Sequence, residues 1–107
     1  MKILNILAGI SPELPEELTQ VLLDRDDLRI ERIVSRGQAS AADFWYDQEQ
    51  DEWVLVICGR ARLQFEASGE LVDMKAGDYL QIPAHTRHRV DWTDPDQKTI
   101  WLAVFCP

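Results

Sequence analysis

Two short polar segments hold most of the side chains that could do chemistry. Both histidines of the chain, His85 and His88, lie shortly after Pro83, and residues 43–52 carry five acidic side chains and no basic one. Imidazole nitrogens and carboxylate oxygens together bind Fe, Mn, Zn or Ni. Glu52 and His88 are therefore candidates for a functional site. The alternative is a buried couple of the same two side chains that satisfy each other without an ion.

Nucleophilic catalysis has little support in the sequence. Cys58 and Cys106 have no neighbouring general base that would activate a thiol. The chain has five glycines and no glycine-rich phosphate loop. No Ser-His-Asp arrangement is suggested either. The sequence therefore assigns no catalytic residue and leaves enzymatic activity open.

The segment that must position these side chains reads as β-structure from Asp43 onward. Runs of β-branched and aromatic residues alternate with turn signals such as Gly59-Arg60 and Ala76-Gly77. Short strands at near-regular spacing predict an antiparallel sandwich or closed barrel, and the lack of helical patterns between them excludes a parallel βαβ fold. The predicted strands are Trp53–Cys58, Ala61–Ala67, Glu70–Lys75, Asp78–Pro83, His88–Thr93 and Thr99–Phe105.

The N-terminal part of the chain has a different pattern. Leu4–Ile10 resembles a short strand and Leu28–Ser35 a longer one. Between them, Pro15–Leu23 has apolar residues at helical spacing and a proline-containing start, which predicts one short amphipathic helix. We expect a single domain over the whole chain, in which residues 1–40 form a strand-and-helix segment and residues 41–107 form the barrel core.

Alternation along the predicted strand Trp53–Cys58 gives it two apolar faces. Such a strand must be covered on both sides, by the barrel interior and by either the N-terminal helix or a second subunit. We therefore expect a homodimer, with coverage by the helix alone as the alternative. One face consists of Val54, Val56 and Cys58, and the other of Trp53, Leu55 and Ile57.

The same alternation predicts the lining of the barrel. Val90 and Trp92 face the same way as His88, and the neighbouring strand presents an apolar face that includes Phe65. An interior of this kind holds few cations, which disfavours a phosphorylated substrate unless a metal binds it. We expect a small, mostly apolar or weakly polar ligand that contacts Trp92, Phe65 and Tyr46.

The charge and composition of the chain limit the classes of binding partner and the cellular compartment that we expect. The chain has 11 Lys and Arg against 19 Asp and Glu, a formal charge of −8, which gives no electrostatic footprint for nucleic acid or anionic lipid. Its apolar runs are too short for a membrane span, and the N-terminal one does not resemble a signal peptide. Two cysteines without metal-site spacing are typical of a reducing compartment, so we expect a cytoplasmic protein.

Two spaced motifs resemble those of the cupin superfamily. Glu52-x6-Gly59 matches the end of the first motif, G-x5-H-x-H-x3–4-E-x6-G. Gly77-x5-Pro83-x-His85-x2-His88 matches the second motif, G-x5-P-x-G-x2-H-x3-N, over most of its length. The resemblance covers about two thirds of the chain. It implies an antiparallel jelly-roll barrel, which agrees with the strand pattern.

The resemblance also implies a ligand set for a divalent ion. The Glu of the first motif falls on Glu52 and the His of the second on His88, whereas the two histidines of the first motif become Tyr46 and Gln48, or Trp45 and Asp47. We expect Asp47, rather than Gln48, as a third ligand because a carboxylate binds more strongly than an amide. His85 stands where the family places Gly, at a turn whose positive φ a His tolerates, and is a possible fourth ligand.

The resemblance implies two functions of different classes. The first is a metal-dependent small-molecule cupin, an oxygenase or isomerase in which Glu52 and His88 anchor Fe, Mn, Zn or Ni. The second is a non-catalytic module that binds or senses a small molecule in the same barrel without metal. The fold does not choose between them, because one fold hosts many functions.

Overall fold

Eight strands make up the regular structure of the protein, which a computed structural model describes from Met1 to Pro107. No helix is present. The strands are β1 Leu18–Arg25, β2 Leu28–Ser35, β3 Asp51–Cys58, β4 Arg60–Phe65, β5 Leu71–Lys75, β6 Tyr79–Ile82, β7 His88–Thr93 and β8 Thr99–Cys106. The six strands predicted beyond residue 43 are therefore all confirmed.

The strands pair antiparallel throughout and form two sheets. One sheet has the order β1-β2-β8-β3-β6 and the other the order β5-β4-β7. Strands that are distant in sequence, such as β3 and β8, pair side by side, whereas consecutive strands such as β3 and β4 lie in different sheets. The chain therefore passes repeatedly from one sheet to the other, as in a jelly roll. The all-β jelly-roll prediction is thus confirmed. No helix long and apolar enough to cross a bilayer is found.

The core lies between the two sheets because each contributes its alternate, inward-facing residues. Val54 and Val56 of β3, which were predicted to share a face, are 3% and 0% exposed and point into this core. Burial of each large apolar side chain contributes about 1.5–3 kcal/mol. The buried cluster consists of Val54, Val56, Ala61, Leu63, Met74, Ile82 and Trp101.

The predicted helix over Pro15–Leu23 is wrong, because most of that segment belongs to β1. The backbone of β1 pairs with β2 across a turn at Asp26-Asp27, so its hydrogen bonds are made between strands. A bulge leaves Leu22 as an extra residue and breaks the strict alternation, which is why the apolar residues imitate helical spacing. The predicted strand Leu4–Ile10 is also wrong, since these residues form turns and irregular backbone.

Arg32 ties this N-terminal segment to β2. The Arg32 side chain is buried, and its Nη1 donates to the carbonyl oxygens of Ile6 and Ala8 at 2.9 and 2.7 Å. Its Nε donates to the Oε1 of Gln20 at 2.8 Å, and Nη2 donates to the same atom. All partners of this guanidinium are uncharged groups, and they come from two separate parts of the chain, the N-terminal segment and β1.

A bulge in β7 reorients Trp92. Arg62 of β4 pairs with Trp92 but Leu63 pairs with Val90, so Asp91 is the extra residue. The side chains beyond the bulge exchange faces, because a slip of one residue reverses the alternation. The inward orientation predicted for Trp92 is therefore wrong, and this residue lies 39% exposed.

A second bulge, in β3, has the same effect on Cys58. Val56 pairs with Trp101 of β8 and Cys58 pairs with Ile100, so Ile57 is the extra residue. Directly opposed residues share a face, and Cys58 therefore lies on the outer face of the sheet with Ile100. The prediction that Cys58 shares a face with Val54 and Val56 is therefore wrong.

Candidate ligand-binding site

A cavity of about 270 Å³ lies within the barrel and collects several of the predicted site residues. Its apolar walls come from both sheets and include Val54, Leu63, Val90 and Trp101. Its polar groups come from β1, β2, β3, β7 and the segment before β3. A small concave space with apolar walls and a few convergent polar groups is the usual form of a small-molecule site.

Glu52 and His88 meet at this cavity although 36 positions separate them in sequence. Glu52 lies on the inward face of β3, and His88 is the first residue of β7, in the opposite sheet. The Nε2 of His88 lies 3.6 Å from the Oε1 of Glu52, and both side chains are buried. The convergence of these two side chains, predicted from the motifs, is what the structure has.

The backbone fixes the tautomer of His88. Its Nδ1 lies 2.8 Å from the carbonyl oxygen of Thr86, which can only accept, so Nδ1 carries a proton. Nε2 then faces Glu52 and favours a second proton. Burial lowers the pKa of His88, but the hydrogen bond to Glu52, the Thr86 carbonyl and the charge of Glu52 outweigh it, and the pKa lies above its ordinary value.

Tyr46 covers His88. The backbone N–H of Tyr46 donates to the His88 carbonyl at 2.7 Å and the His88 N–H donates to the Tyr46 carbonyl at 3.2 Å, so the segment before β3 pairs with the start of β7. The two rings stack with centroids 5.5 Å apart. Tyr46 lines the cavity. Burial and the charges of Glu17, Glu52 and Glu31 raise the pKa of Tyr46, which keeps its hydroxyl protonated.

Three further charged residues, which were not predicted from the sequence, line the cavity. Arg29 and Glu31 lie on the inward face of β2, with Arg29 Nε 2.7 Å from Glu31 Oε2. Glu17 lines the same cavity just before β1, and its carboxylate accepts a hydrogen bond from the Ser35 hydroxyl at 3.3 Å. For Arg29 and Glu31, the signal in the sequence was that they alternate with apolar residues along β2. The position of Glu17 was hidden by the helix prediction.

Asp47 and His85 form a separate pair. The Nδ1 of His85 lies 2.8 Å from the Oδ1 of Asp47, both side chains are largely exposed, and neither lines the cavity. His85 has φ +60°, the left-handed conformation expected at the position where the family motif has Gly.

The donors present do not fit a tightly bound ion. No group of three or more His, Cys, Asp or Glu side chains is placed to hold a metal. Tight sites use at least three protein ligands, and the cavity supplies one such pair, Glu52 and His88. Gln48 also lines the cavity. Asp47 and His85, predicted as further ligands, lie instead in their own pair.

The other two predicted ligand contacts lie outside the cavity wall. The ring of Phe65 lies beside that of His88, with centroids 6.0 Å apart, but Phe65 does not line the cavity. Trp92 lies on the far side of β7, against a shallow surface depression that Arg62 and Asp73 also border.

Comparison with known proteins agrees with this architecture. A family model described as "Cupin domain" matches residues 32–105, which span β2 to β8 and include Glu52 and His88. The chain belongs to the cupin family. No curated protein shows significant similarity to this cupin.

Several solved structures resemble this cupin over most of their length. A protein from Ralstonia eutropha JMP134 named "putative mannose-6-phosphate isomerase" is 49% identical, with 99% of this chain and 98% of that chain covered and a TM-score of 0.94. A double-stranded β-helix domain protein from Klebsiella pneumoniae is 21% identical, covering 100% and 90%, with a TM-score of 0.79. A cupin superfamily protein from Desulfitobacterium hafniense DCB-2 is 19% identical, covering 91% and 83%, with a TM-score of 0.75. The last two matches show the fold alone.

The charge of Glu52 is expected to control the protonation of His88. In Glu52→Gln, burial of the imidazole persists without its anionic partner, so the pKa of His88 should fall. The native state of the wild-type protein binds this proton more tightly than the unfolded chain does. Its contribution to stability is therefore complete below pH 6.5, the ordinary pKa, and is lost as pH rises through the folded-state pKa.

NMR titration of the His88 ring resonances measures the pKa, and denaturation at several pH values measures the linked stability. Glu66→Gln is the control, because Glu66 pairs with Arg87 at the surface. An unchanged His88 midpoint in Glu52→Gln would show that Glu52 is not the charge that holds the proton.

Proposed function

We propose that this cupin binds a small organic molecule in its barrel cavity and that this binding does not require a resident metal ion. The observation that carries the proposal is the cavity itself, about 270 Å³ with apolar walls and convergent polar side chains. A cavity of this volume can hold a small molecule, from one with a few non-hydrogen atoms up to about the size of a monosaccharide. Binding in this form needs no third metal ligand.

The similarity to the Ralstonia protein supports a small-molecule function at the same place in the fold. That protein is named for a sugar phosphate, and 49% identity over nearly the whole chain makes a related barrel function reasonable. The charges of this cavity oppose a dianion, however, because Glu17, Glu31 and Glu52 outnumber Arg29 and His88. We therefore propose that this cupin shares the location of the binding site with the Ralstonia protein, but not the substrate for which that protein is named.

Filling the cavity should abolish ligand binding. Val90→Trp places a large ring in the cavity from β7, and Ile33→Phe does the same from β2. Ligand-detected NMR of chelator-treated protein against a library of small polar molecules should give signals that both variants lose. Leu71→Trp is the control, since Leu71 is 52% exposed and lies outside the cavity. A library whose binders are unaffected by both cavity variants would overturn the proposal.

A weak, exchangeable divalent ion at Glu52 and His88 is the second candidate, as part of a metal-dependent oxygenase or isomerase. It is favoured by one observation, the approach of a buried carboxylate and imidazole to 3.6 Å. Protein soaked with Mn, Fe, Zn or Ni and then desalted should retain metal, and the double variant Glu52→Ala, His88→Ala should lose it. Equal trace amounts in both proteins would eliminate this candidate.

We further propose that the protein is a homodimer whose subunits cover the outer face of the five-stranded sheet. Trp53 and Leu55 on that face are half-buried, and Ile3 and Leu4 of the N-terminal segment are 94% and 80% exposed. Apolar surface of this extent favours an interface. Light scattering should give twice the mass of one chain, and Leu55→Glu should halve it while Leu71→Glu does not. A monomeric wild-type protein at micromolar concentration would contradict the dimer.

We also propose a cytoplasmic location. Cys58 and Cys106 are both free thiols, which supports a reducing compartment. Fractionation of cells that express the tagged protein tests this proposal, and recovery outside the cytoplasmic fraction would overturn it.

A further inference from the structure

We propose that the N-terminal arm, residues 1–10, packs on a second copy of the chain, against the part of the outer sheet face that the arm leaves uncovered in its own copy. This inference rests on the proposed homodimer and names the segment and the surface that meet in it. Three features carry it: an uncovered apolar surface, the outward apolar side chains of the arm, and the distribution of charge.

The arm covers only one side of the five-stranded sheet. Arg32 lies on the outer face of β2, and its Nη1 donates to the carbonyl oxygens of Ile6 and Ala8 while its Nε donates to Gln20 of β1. These bonds place the arm over β1 and β2. The outer face of β8, β3 and β6 has side chains that remain half-buried or exposed, and we call it the uncovered half: Trp53, Leu55, Tyr79, Gln81, Leu102 and Val104.

The uncovered half has the composition of an interface. None of its six side chains is charged, although the whole chain carries a formal charge of −8. Trp53 and Tyr79 lie with ring centroids 5.4 Å apart, and Tyr79 is 68% exposed. Exposed aromatic side chains of these types are enriched where proteins associate. The outer face of the three-stranded sheet differs, since Arg62 and Asp73 form an ion pair there at 2.6 Å.

The arm presents apolar side chains on the side that faces away from its own sheet. Ile6 and Ile10 are half-buried, whereas Ile3, Leu4 and Leu7 are 94%, 80% and 57% exposed. The arm therefore uses one side for its own copy and leaves the other in solvent. Burial of each large apolar side chain contributes about 1.5–3 kcal/mol, so a surface that covers these three is strongly favoured.

A second copy of the chain meets these requirements by symmetry. In a twofold dimer, each copy offers one arm and one uncovered half, and the arm of each reaches the uncovered half of the other. Charge favours the same partner. Lys2 is the only charged residue among residues 1–12, so a positive arm approaches a strongly acidic chain.

A charge placed on the arm should weaken the dimer. Leu4→Glu would bury a carboxylate against the apolar side chains of the second copy, so the dissociation constant should rise by about tenfold or more. Sedimentation equilibrium over a range of concentrations measures this constant. Leu71→Glu is the matched control, because Leu71 is 52% exposed and belongs to the other sheet, and it should leave the constant unchanged.

A mixed dimer locates the arm directly. One copy is labelled with ¹³C and the other is unlabelled, and isotope-filtered NMR then detects only contacts between copies. We expect contacts from the methyl groups of Ile3 and Leu4 to the indole of Trp53, whose resonances are assigned by their loss in Trp53→Phe. A dimer that lacks these contacts, or that Leu4→Glu leaves intact, would overturn the inference while the homodimer stands. A wild-type protein that is monomeric throughout would overturn both.

Discussion

Gly59→Ala should lower the free energy of unfolding by about 3 kcal/mol or more. Gly59 follows β3 directly and has φ +92°, a conformation that disfavours any side chain. A Cβ built there would lie 2.5 Å from the Cα of Thr99 and 2.6 Å from the carbonyl oxygen of Lys98, and it would overlap the Thr99 hydroxyl. Backbone atoms cannot move aside without disturbing β8. The glycine that ends the first motif is therefore required by the approach of β8.

Gly77→Ala is the matched control for this prediction. Gly77 has φ +91°, almost the same as Gly59, but a Cβ there would meet nothing within 4 Å. The substitution should therefore cost about 1 kcal/mol, from backbone strain without overlap. Urea denaturation of both variants measures the difference. Equal losses at the two glycines would show that the contact with Thr99 and Lys98 is unimportant.

Arg32→Ala should cost about 3 kcal/mol and release the N-terminal segment. The substitution leaves the carbonyl oxygens of Ile6 and Ala8 and the amide of Gln20 without the donor that joins them. Residues 1–16 form no strand, so this side chain supplies much of what holds them. Arg32→Lys should rescue little, because a single ammonium cannot reproduce the fork of a guanidinium.

Hydrogen exchange is the direct measurement for this prediction. Amides of residues 1–16 should lose protection in Arg32→Ala, and denaturation should give the loss of stability. Arg36→Ala is the control, since Arg36 is exposed and its side chain makes one long hydrogen bond, 3.4 Å to the Pro95 carbonyl. Unchanged protection of the N-terminal amides would contradict the tethering role.

The strands beyond residue 43 were predictable because each is bounded by turn residues and presents an alternating pattern to the core. The N-terminal part was not, because one extra residue at Leu22 converts the alternation of β1 into apparent helical spacing. The same cause misplaced Trp92 and Cys58, which lie just beyond the bulges at Asp91 and Ile57. A bulge is set by pairing with a partner strand, and a single segment does not contain that information.

The candidate site was predictable to the extent that motif spacing encodes it. Glu52 and His88 were found because their distances from Gly59 and Pro83 match a known pattern. The pair of Asp47 and His85 involves two of the predicted residues but lies apart from the first pair. Glu17 and Glu31 belong to no motif, and only the folding of β1 and β2 against the barrel brings them to the cavity.

The hydrogen bond from Nδ1 of His88 to the Thr86 carbonyl limits which sequence changes can rotate the imidazole. A main-chain oxygen is the same whatever residue stands at position 86, so point substitution there cannot free the ring to rotate. The carbonyl direction depends instead on the path of the loop between Pro83 and His88, in which His85 takes a left-handed turn. A longer or shorter loop would redirect this carbonyl. The imidazole could then rotate and present its opposite edge to the barrel interior.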